Sequence, residues 1–113
     1  MTVPVRLEPA NHILIRAGGN PIVDTTHGYI VHEGGLPPRY YVPRADVRGA
    51  LSDGQGGARC PWKGLWKHVD LDLDPGGGRI ANAGWTYYDP TPVCEPIRDF
   101  IAFYPDKVAI EVT

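Results

Sequence analysis

The sequence predicts one mainly β domain that covers residues 1–113. Glycine and proline occur along the whole length of the chain, with 14 Gly and 12 Pro in 113 residues. They divide the chain into short segments, and short segments between turns suit β-structure better than helical bundles. Within several segments apolar and polar side chains alternate, which is the period of a half-buried strand. A chain of this length fits a single domain with one core.

Charge and composition exclude some classes of protein. The formal net charge is −2, whereas nucleic-acid binders carry a surplus of Lys and Arg that neutralises phosphates, so we expect no nucleic-acid partner. No apolar run approaches the roughly 20 residues that span a bilayer, and we expect no membrane partner. The N-terminus lacks a basic run followed by an apolar stretch, which favours a cytoplasmic protein. Its two cysteines are then expected to be reduced.

The first half of the chain is predicted to contain four short strands. They cover residues 13–16, 21–24, 29–33 and 39–42. A Gly-rich turn joins the first two into a hairpin, and a Gly-Gly pair ends the third. The fourth is aromatic and β-branched, as strands often are.

Two irregular segments follow. Residues 43–51 begin with a proline, which the first helical turn tolerates, and Val47 and Leu51 lie at helical spacing. They predict one or two helical turns. Residues 52–57 are polar and rich in glycine, which predicts a loop, and this loop is expected to be mobile.

The second half of the chain is predicted to hold a long hairpin, a helix and a last strand. Residues 65–73 alternate with strand period, although Lys67 interrupts the apolar side, and 79–88 form the partner strand across a turn at 74–78. Ile97, Ile101 and Tyr104 lie at i, i+4 and i+7, which predicts a short helix over 95–104. Alternation over 108–112 predicts the last strand.

Metal and nucleotide sites are not indicated. The four His, at positions 12, 27, 32 and 68, include no pair at i, i+4 spacing, and neither Cys60 nor Cys94 belongs to a C-x-x-C pair. A structural zinc site needs four ligands, so we expect no metal. The glycines at 54–57 and 76–78 do not lie between a strand and a helix, so they are better interpreted as turns than as phosphate-binding loops. We expect no cofactor.

The segment Arg59-Cys60-Pro61-Trp62-Lys63-Gly64 carries a thiol, a lysine and a large aromatic side chain within a few positions. Lys63 could hold an anion, or act as a base if burial lowers its pKa. Cys60 could be a nucleophile beside a cation. The alternative is a tight turn with Trp62 packed on the core and Lys63 exposed. Glu33, before a Gly-Gly break, is an acid or base if buried and a surface carboxylate if exposed.

A second unusual segment covers residues 39–48. Tyr40 and Tyr41 point to opposite faces of a strand, so one is predicted in the core and the other accessible. Arg44 either pairs with Asp46 or offers its planar donor fork to a carboxylate or phosphate. Aromatic residues near 85–88 are most often core residues, but aromatics that converge with a few polar groups also form small-molecule pockets.

Several separate motifs occur in order along most of the chain. They are Glu33, then Pro37-Pro38-Arg39-Tyr40-Tyr41-Val42-Pro43-Arg44-Ala45-Asp46-Val47, then Cys60-Pro61-Trp62-Lys63-Gly64, then Ala83-Gly84-Trp85-Thr86-Tyr87 with Pro90, and then Phe103-Tyr104. In this order and at these distances they closely resemble the family catalogued as Domain of Unknown Function 427, over roughly residues 13–112. The family carries no established general activity. Some of its members bear a nucleotidyltransferase-like label, for which this chain shows no phosphate or metal motif.

The resemblance implies a β-tent-like fold, in which two antiparallel sheets lean together with a cleft between them and one or two short helices are added. Some domains of this architecture hold zinc, but this chain lacks their paired cysteines. The chain also departs from the family after Gly64: the family usually shows a small residue and a tyrosine where this chain has Leu65-Trp66-Lys67-His68. The family's usual ligand is therefore not carried over.

The first functional hypothesis is a small-molecule-binding domain with a cleft between the sheets. Lys63 and Glu33 are the candidate catalytic residues of a cofactor-independent isomerase, lyase or hydrolase that acts on a small anionic or planar metabolite. The candidate ligand-binding residues are Arg44, Tyr41, Trp62, Trp85, Tyr87 and Arg39. The alternative is a non-catalytic protein-interaction module or a homodimer, which would use exposed aromatics and free sheet edges.

Overall fold

The computed structural model describes residues 4–73 and 76–113. Within these residues the chain forms ten strands and two short 3-10 segments, and no α-helix. The strands are β1 (Val5–Pro9), β2 (Ile13–Ala17), β3 (Asn20–Thr25), β4 (Tyr29–Glu33), β5 (Arg39–Val42), β6 (Ala50–Cys60), β7 (Gly64–Asp72), β8 (Arg79–Pro90), β9 (Ile101–Phe103) and β10 (Ala109–Val112). The 3-10 segments are Arg44–Asp46 and Pro92–Ile97.

The strands form two antiparallel sheets, as the predicted fold class requires. The large sheet has seven strands in the order β1-β4-β5-β9-β8-β7-β6, and the small sheet has three in the order β10-β2-β3. The predicted hairpin of β2 and β3 and the long hairpin of β7 and β8 are both present. β1 was not predicted, and it extends the large sheet by pairing with β4.

The small sheet packs against one face of the large sheet. Its buried side chains Ile15 and Val23 belong to a single cluster with Val42, Leu71 and Ile101 of the large sheet. Successive side chains of a strand point to opposite faces. The neighbours of Val42 and Ile101 are therefore directed away from the small sheet, and they belong to a different cluster.

The opposite face of the large sheet carries the second cluster. Tyr41, Trp85 and Tyr87 lie here with Cys94 and Ile97 of the second 3-10 segment. Both faces of the central strands are thus covered. In residues 65–73 the predicted apolar face is buried at Val69 and Leu71 of the first cluster, whereas Trp66 on the other face packs against the second cluster. The turn of residues 65–73 with β8 lies partly outside the described residues, at 74 and 75.

The two predicted helical segments are present only in part, and as 3-10 turns rather than as longer helices. Within residues 43–51 there is one 3-10 turn, because Val47 forms a bridge with Val23 of β3 and β6 begins at Ala50. Within 95–104 the 3-10 segment ends at Ile97, and β9 follows. Pro96 has no N–H for a helical hydrogen bond, and Asp99 has a left-handed φ of 61° that turns the chain back into the sheet.

The Gly-rich segment 52–57 is part of β6 rather than a loop. Asp53 pairs with Val69 and Gly57 pairs with Lys67, so the three residues between them on β6 lie opposite His68 alone on β7. Such a bulge leaves its extra residues unpaired and bends the strand, and bulges are frequent beside functional sites.

Candidate functional site

A cavity of about 380 Å³ lies on the face of the large sheet that is directed away from the small sheet. Among the side chains that line it are Glu33, Arg39, Lys63, Trp66, Trp85, Tyr87 and Tyr104. None of its lining residues belongs to β2, β3 or β10. The expectation of a cleft between the two sheets is therefore corrected: the hollow is formed by the large sheet, its turns and the segment after β9.

An ion pair joins two distant parts of the large sheet at this cavity. The Nζ of Lys63 lies 2.6 Å from Oε1 of Glu33, and the two side chains are only 11% and 23% exposed. Glu33 is on β4, whereas Lys63 is in the turn between β6 and β7, at least four strands away. In a flat sheet that separation is roughly 19 Å. The β6–β7 turn must therefore curl over this face toward β4.

The turn that carries Lys63 is held by the chain after β8. The backbone N–H of Thr91 donates to the carbonyl oxygen of Lys63 at 3.0 Å, and the Thr91 hydroxyl donates to the carbonyl oxygen of Trp62 at 2.8 Å. Gly64 has a φ of +115°, and a Cβ there would lie 2.7 Å from Cα of Pro90. Only glycine permits this close approach of backbones. The Cys-Pro-Trp-Lys-Gly motif therefore serves to place the ammonium group.

The surroundings of Lys63 are largely aromatic and apolar. Its Nζ lies 5.4 Å from the centre of the Tyr87 ring, and Cys60 lines the same cavity. Burial raises the pKa of Tyr87 well above its usual range, and burial also raises the pKa of the Cys94 thiol. Tyr87 and Cys94 therefore stay neutral. Of the two alternatives for Lys63, the buried one is the one observed, and Glu33 is half-buried beside it.

Arg39 supplies a second cation at the cavity. Its Cζ lies 5.4 Å from the centre of the Trp85 ring, an arrangement in which the ring attracts the guanidinium. Among residues 4–73 and 76–113 Arg39 makes no ion pair with a carboxylate. Its planar donor fork is therefore available to an anionic ligand.

Tyr41 supports the cavity from below without lining it. The side chain is fully buried, and its hydroxyl oxygen accepts a hydrogen bond from Nε1 of Trp85 at 2.9 Å. The two rings make an edge-on contact with centres 6.3 Å apart. Burial is the main reason that the pKa of Tyr41 is raised above its usual range. Tyr41 thus fixes the orientation of Trp85, on which Arg39 lies.

The predicted site residues separate into two groups. Five of them line the cavity together: Glu33, Arg39, Lys63, Trp85 and Tyr87. Three do not line it.

Arg44 and Trp62 lie outside the cavity along with Tyr41. Arg44 is exposed in the first 3-10 segment, and this segment contacts β3 of the small sheet. Arg44 makes no ion pair with Asp46, whose carboxylate instead accepts a hydrogen bond from the Thr25 hydroxyl at 2.8 Å. Trp62 is half-buried and packs against the second cluster. Arg44 therefore cannot share a ligand with Lys63 in this cavity.

Sequence reasoning missed a polar pair beside the cavity. Tyr104 lines the cavity, and its hydroxyl lies 2.9 Å from Nε2 of His68. The Nδ1 of the same imidazole lies 2.6 Å from the carbonyl oxygen of Gln55 in the β6 bulge. Two signals pointed here: Tyr104 belongs to the last family motif, and His68 lies where the chain departs from the family pattern.

Two kinds of feature are not found in the described part of the chain. No group of three or more His, Cys, Asp or Glu that could hold a metal ion occurs among the residues described. In the same residues, no helix has both the length and the apolar character needed to cross a membrane.

Comparison with known proteins places the chain in a family. No curated protein matches it. The family model described as "Domain of unknown function (DUF427)" matches residues 6–113, which is nearly the whole chain and extends the resemblance to β1. The chain therefore belongs to the family of domain of unknown function 427.

Proposed function

We propose that this domain binds a small planar anion in the cavity of the large sheet. The observation that carries the proposal is the position of Arg39, a guanidinium without a carboxylate partner among the described residues, stacked on Trp85 at an aromatic-lined hollow. A carboxylate can accept two parallel hydrogen bonds from such a group. A flat ring attached to the carboxylate would then lie among Trp66, Trp85 and Tyr87.

The local charge supports an anionic ligand. Arg39 and Lys63 are cationic and Glu33 is anionic, so these three side chains leave the cavity with a net positive charge. The chain as a whole carries −2. The apolar walls of the cavity screen charge less than water does. The positive potential inside the cavity therefore attracts an anionic ligand, although the protein as a whole is acidic.

The size of the cavity suits a metabolite and not a polymer. About 380 Å³ lies near the lower end of the roughly 300–1,000 Å³ that is usual for small-molecule pockets. Such pockets are mostly apolar with a few polar groups that fix the orientation of the ligand. This cavity fits that description.

Glu33 and Lys63 supply the chemistry that a cofactor-independent isomerase, lyase or hydrolase needs, since proton transfer requires only a positioned acid and base. The ammonium group of Lys63 lies 2.6 Å from the carboxylate of Glu33. Lys63 is therefore suited to hold both the Glu33 carboxylate and the ligand in place. The carboxylate of Glu33 is then the group that would accept a proton from a bound ligand.

Binding of aromatic carboxylates to the folded protein tests the proposal. Isothermal titration with benzoate and with its uncharged methyl ester should show binding of the anion only. Arg39→Gln should weaken benzoate binding by about tenfold or more, because a hydrogen bond to a charged group contributes about 1.5–3 kcal/mol. Arg44→Gln is the matched control, because Arg44 lies outside the cavity, and it should bind as the wild type does. Equal affinity of all three proteins would overturn the proposal.

A second candidate is a non-catalytic dimer. Leu36 lines the mouth of the cavity and is 63% exposed, so a second copy of the chain could cover it. Light scattering separates the two candidates. A dimer that Leu36→Ser dissociates, with no binding of benzoate, would favour the interaction module.

A further inference from the structure

The Tyr104–His68 pair has a determined hydrogen-bond direction. The carbonyl oxygen of Gln55 can only accept, so the Nδ1 of His68, which lies 2.6 Å away, must carry its hydrogen. In a neutral imidazole the other nitrogen is then an acceptor. With that neutral tautomer, the hydroxyl of Tyr104, 2.9 Å from Nε2, donates its hydrogen to His68.

The position of the Gln55 carbonyl is itself fixed by a chain of hydrogen bonds. The N–H of Gln55 donates to Oδ1 of Asn82 at 3.0 Å, and the N–H of Asn82 donates to Oδ1 of Asp70 at 2.7 Å. Arg79 donates to the other oxygen of Asp70 at 2.6 Å. These bonds hold Gln55 in the bulge beside His68, where its carbonyl oxygen accepts from the imidazole.

Glycine permits the bulge to approach this network. A Cβ at Gly54 would lie 2.6 Å from Oδ1 of Asn82 and 2.9 Å from Oδ1 of Asp70. Both distances are below van der Waals contact. The glycines that sequence reasoning assigned to a turn are therefore part of the structure that orients His68.

The direction of the Tyr104–His68 hydrogen bond determines what the Tyr104 oxygen can offer to a ligand. Its only hydrogen is donated to His68, so toward a ligand the oxygen can act only as an acceptor. The Tyr104 ring lies 4.7 Å from the centre of Trp85, the ring on which Arg39 is stacked. Arg39, which can bind an anion, and the Tyr104 oxygen, which can only accept a hydrogen bond, thus lie beside the same ring of Trp85.

We infer that the ligand of this cavity is a planar anion that also carries a hydrogen-bond donor, a hydroxyl or an N–H group, which donates to the oxygen of Tyr104. The inference rests on the proposed function and narrows its ligand to hydroxyaryl or aminoaryl carboxylates and compounds of the same pattern. Burial raises the pKa of Tyr104, which keeps its hydroxyl protonated and the donor to His68 in place.

The tautomer of His68 can be tested without a ligand. NMR of protein labelled in its histidine nitrogens should show hydrogen on Nδ1 of His68 and not on Nε2. In Tyr104→Phe the Nε2 signal should move toward that of a nitrogen without a hydrogen-bond donor. Hydrogen on Nε2 in the wild type would overturn the inference, whatever the protein binds.

Ligand selectivity tests whether the ligand donates a hydrogen bond to Tyr104. Titrations would compare benzoate with meta- and para-hydroxybenzoate, which donate, and with the corresponding methoxybenzoates, which only accept. At least one hydroxybenzoate should bind the wild type up to about tenfold more tightly than benzoate, which is the range of one net hydrogen bond. Tyr104→Phe should lose this advantage, so that the variant binds hydroxybenzoate and benzoate with affinities that agree within about twofold. Tyr88→Phe, an exposed tyrosine outside the cavity, should keep it.

Removal of His68, the acceptor of the Tyr104 hydrogen, should reverse the preference for hydroxybenzoates over methoxybenzoates. In His68→Leu the Tyr104 hydroxyl is released to donate, so the methoxybenzoates should gain affinity relative to the hydroxybenzoates. Binding of benzoate without any hydroxyl advantage would overturn this inference and leave the proposed function standing. Failure of every compound to bind would overturn the proposed function and the ligand class with it.

Discussion

Oε1 of Glu33 contacts Nζ of Lys63 at 2.6 Å across the hollow face of the large sheet. Glu33 is on β4, which is not a neighbour of β6 or β7, the strands that the Lys63 turn joins, so no register of the sheet explains the contact. It exists because the β6–β7 turn curls back over that face and is held there by Thr91. This ion pair is therefore both a feature of the candidate site and a link in the fold.

Glu33→Gln should destabilise the protein by about 2–4 kcal/mol. Removal of one partner leaves a poorly solvated ammonium group without its counter-charge, and such losses in buried pairs are about 3–5 kcal/mol; partial exposure reduces the figure here. Glu111→Gln is the matched control, because the pair of Glu111 with Arg16 is 64% and 38% exposed and should contribute no more than about 1 kcal/mol. Urea denaturation measures both, and equal losses would contradict a structural role for Glu33.

Gly64→Ala should cost about 2–3 kcal/mol. The left-handed φ of +115° disfavours any side chain, and the added Cβ would meet the backbone of Pro90. Gly35→Ala is the control, since Gly35 has no left-handed φ and nothing within 4 Å of a Cβ. Thermal and urea denaturation should separate the two variants clearly. A Gly64→Ala protein as stable as Gly35→Ala would show that the turn is not held as described.

Tyr41→Phe should cost about 1–3 kcal/mol. It removes only the oxygen that accepts from Nε1 of Trp85 at 2.9 Å, and a buried N–H left without an acceptor carries that penalty. Tyr40→Phe is the matched control, because no hydrogen bond of its hydroxyl is found in the described part of the chain. Near-ultraviolet circular dichroism should also report movement of Trp85 in Tyr41→Phe alone. Similar losses in the two variants would contradict this role.

The stability that Asp70 contributes should disappear at acid pH. The backbone N–H of Asn82, and next the Arg79 side chain, hold the pKa of Asp70 below its usual value. A carboxyl whose pKa is lower in the folded state stabilises the fold above its unfolded pKa, near pH 4, and loses that contribution as the pH falls toward the lower folded value.

The comparison of wild type with Asp70→Asn measures this contribution. The difference in the free energy of unfolding between the two proteins should be constant between about pH 5 and 7 and should shrink below about pH 4. Urea denaturation over that range gives the result. A difference that widens toward acid pH would contradict the assigned shift.

The strands and the family could be predicted from the sequence because both depend on which residues follow one another along the chain. Alternation and turn residues mark β2, β3, β4, β5, β7 and β8, and the motifs identify the family without any knowledge of packing. Of the site, five of the eight predicted residues line the cavity, since the motifs that carry them meet on one face. The wrong segments are those in which tertiary pairing overrides local spacing. Ile97 and Ile101 have helical spacing, but one ends a 3-10 segment and the other begins a strand.

The sequence by itself determined that the chain is mainly β, that it belongs to this family, and that cations and aromatic side chains lie in its motifs. Only the tertiary structure decided which of those side chains meet. Local pattern determines the face of a strand on which a residue lies, but not how the sheet curves. That curvature brings Lys63 to Glu33, leaves Arg44 on the other side, and places the glycine bulge around His68.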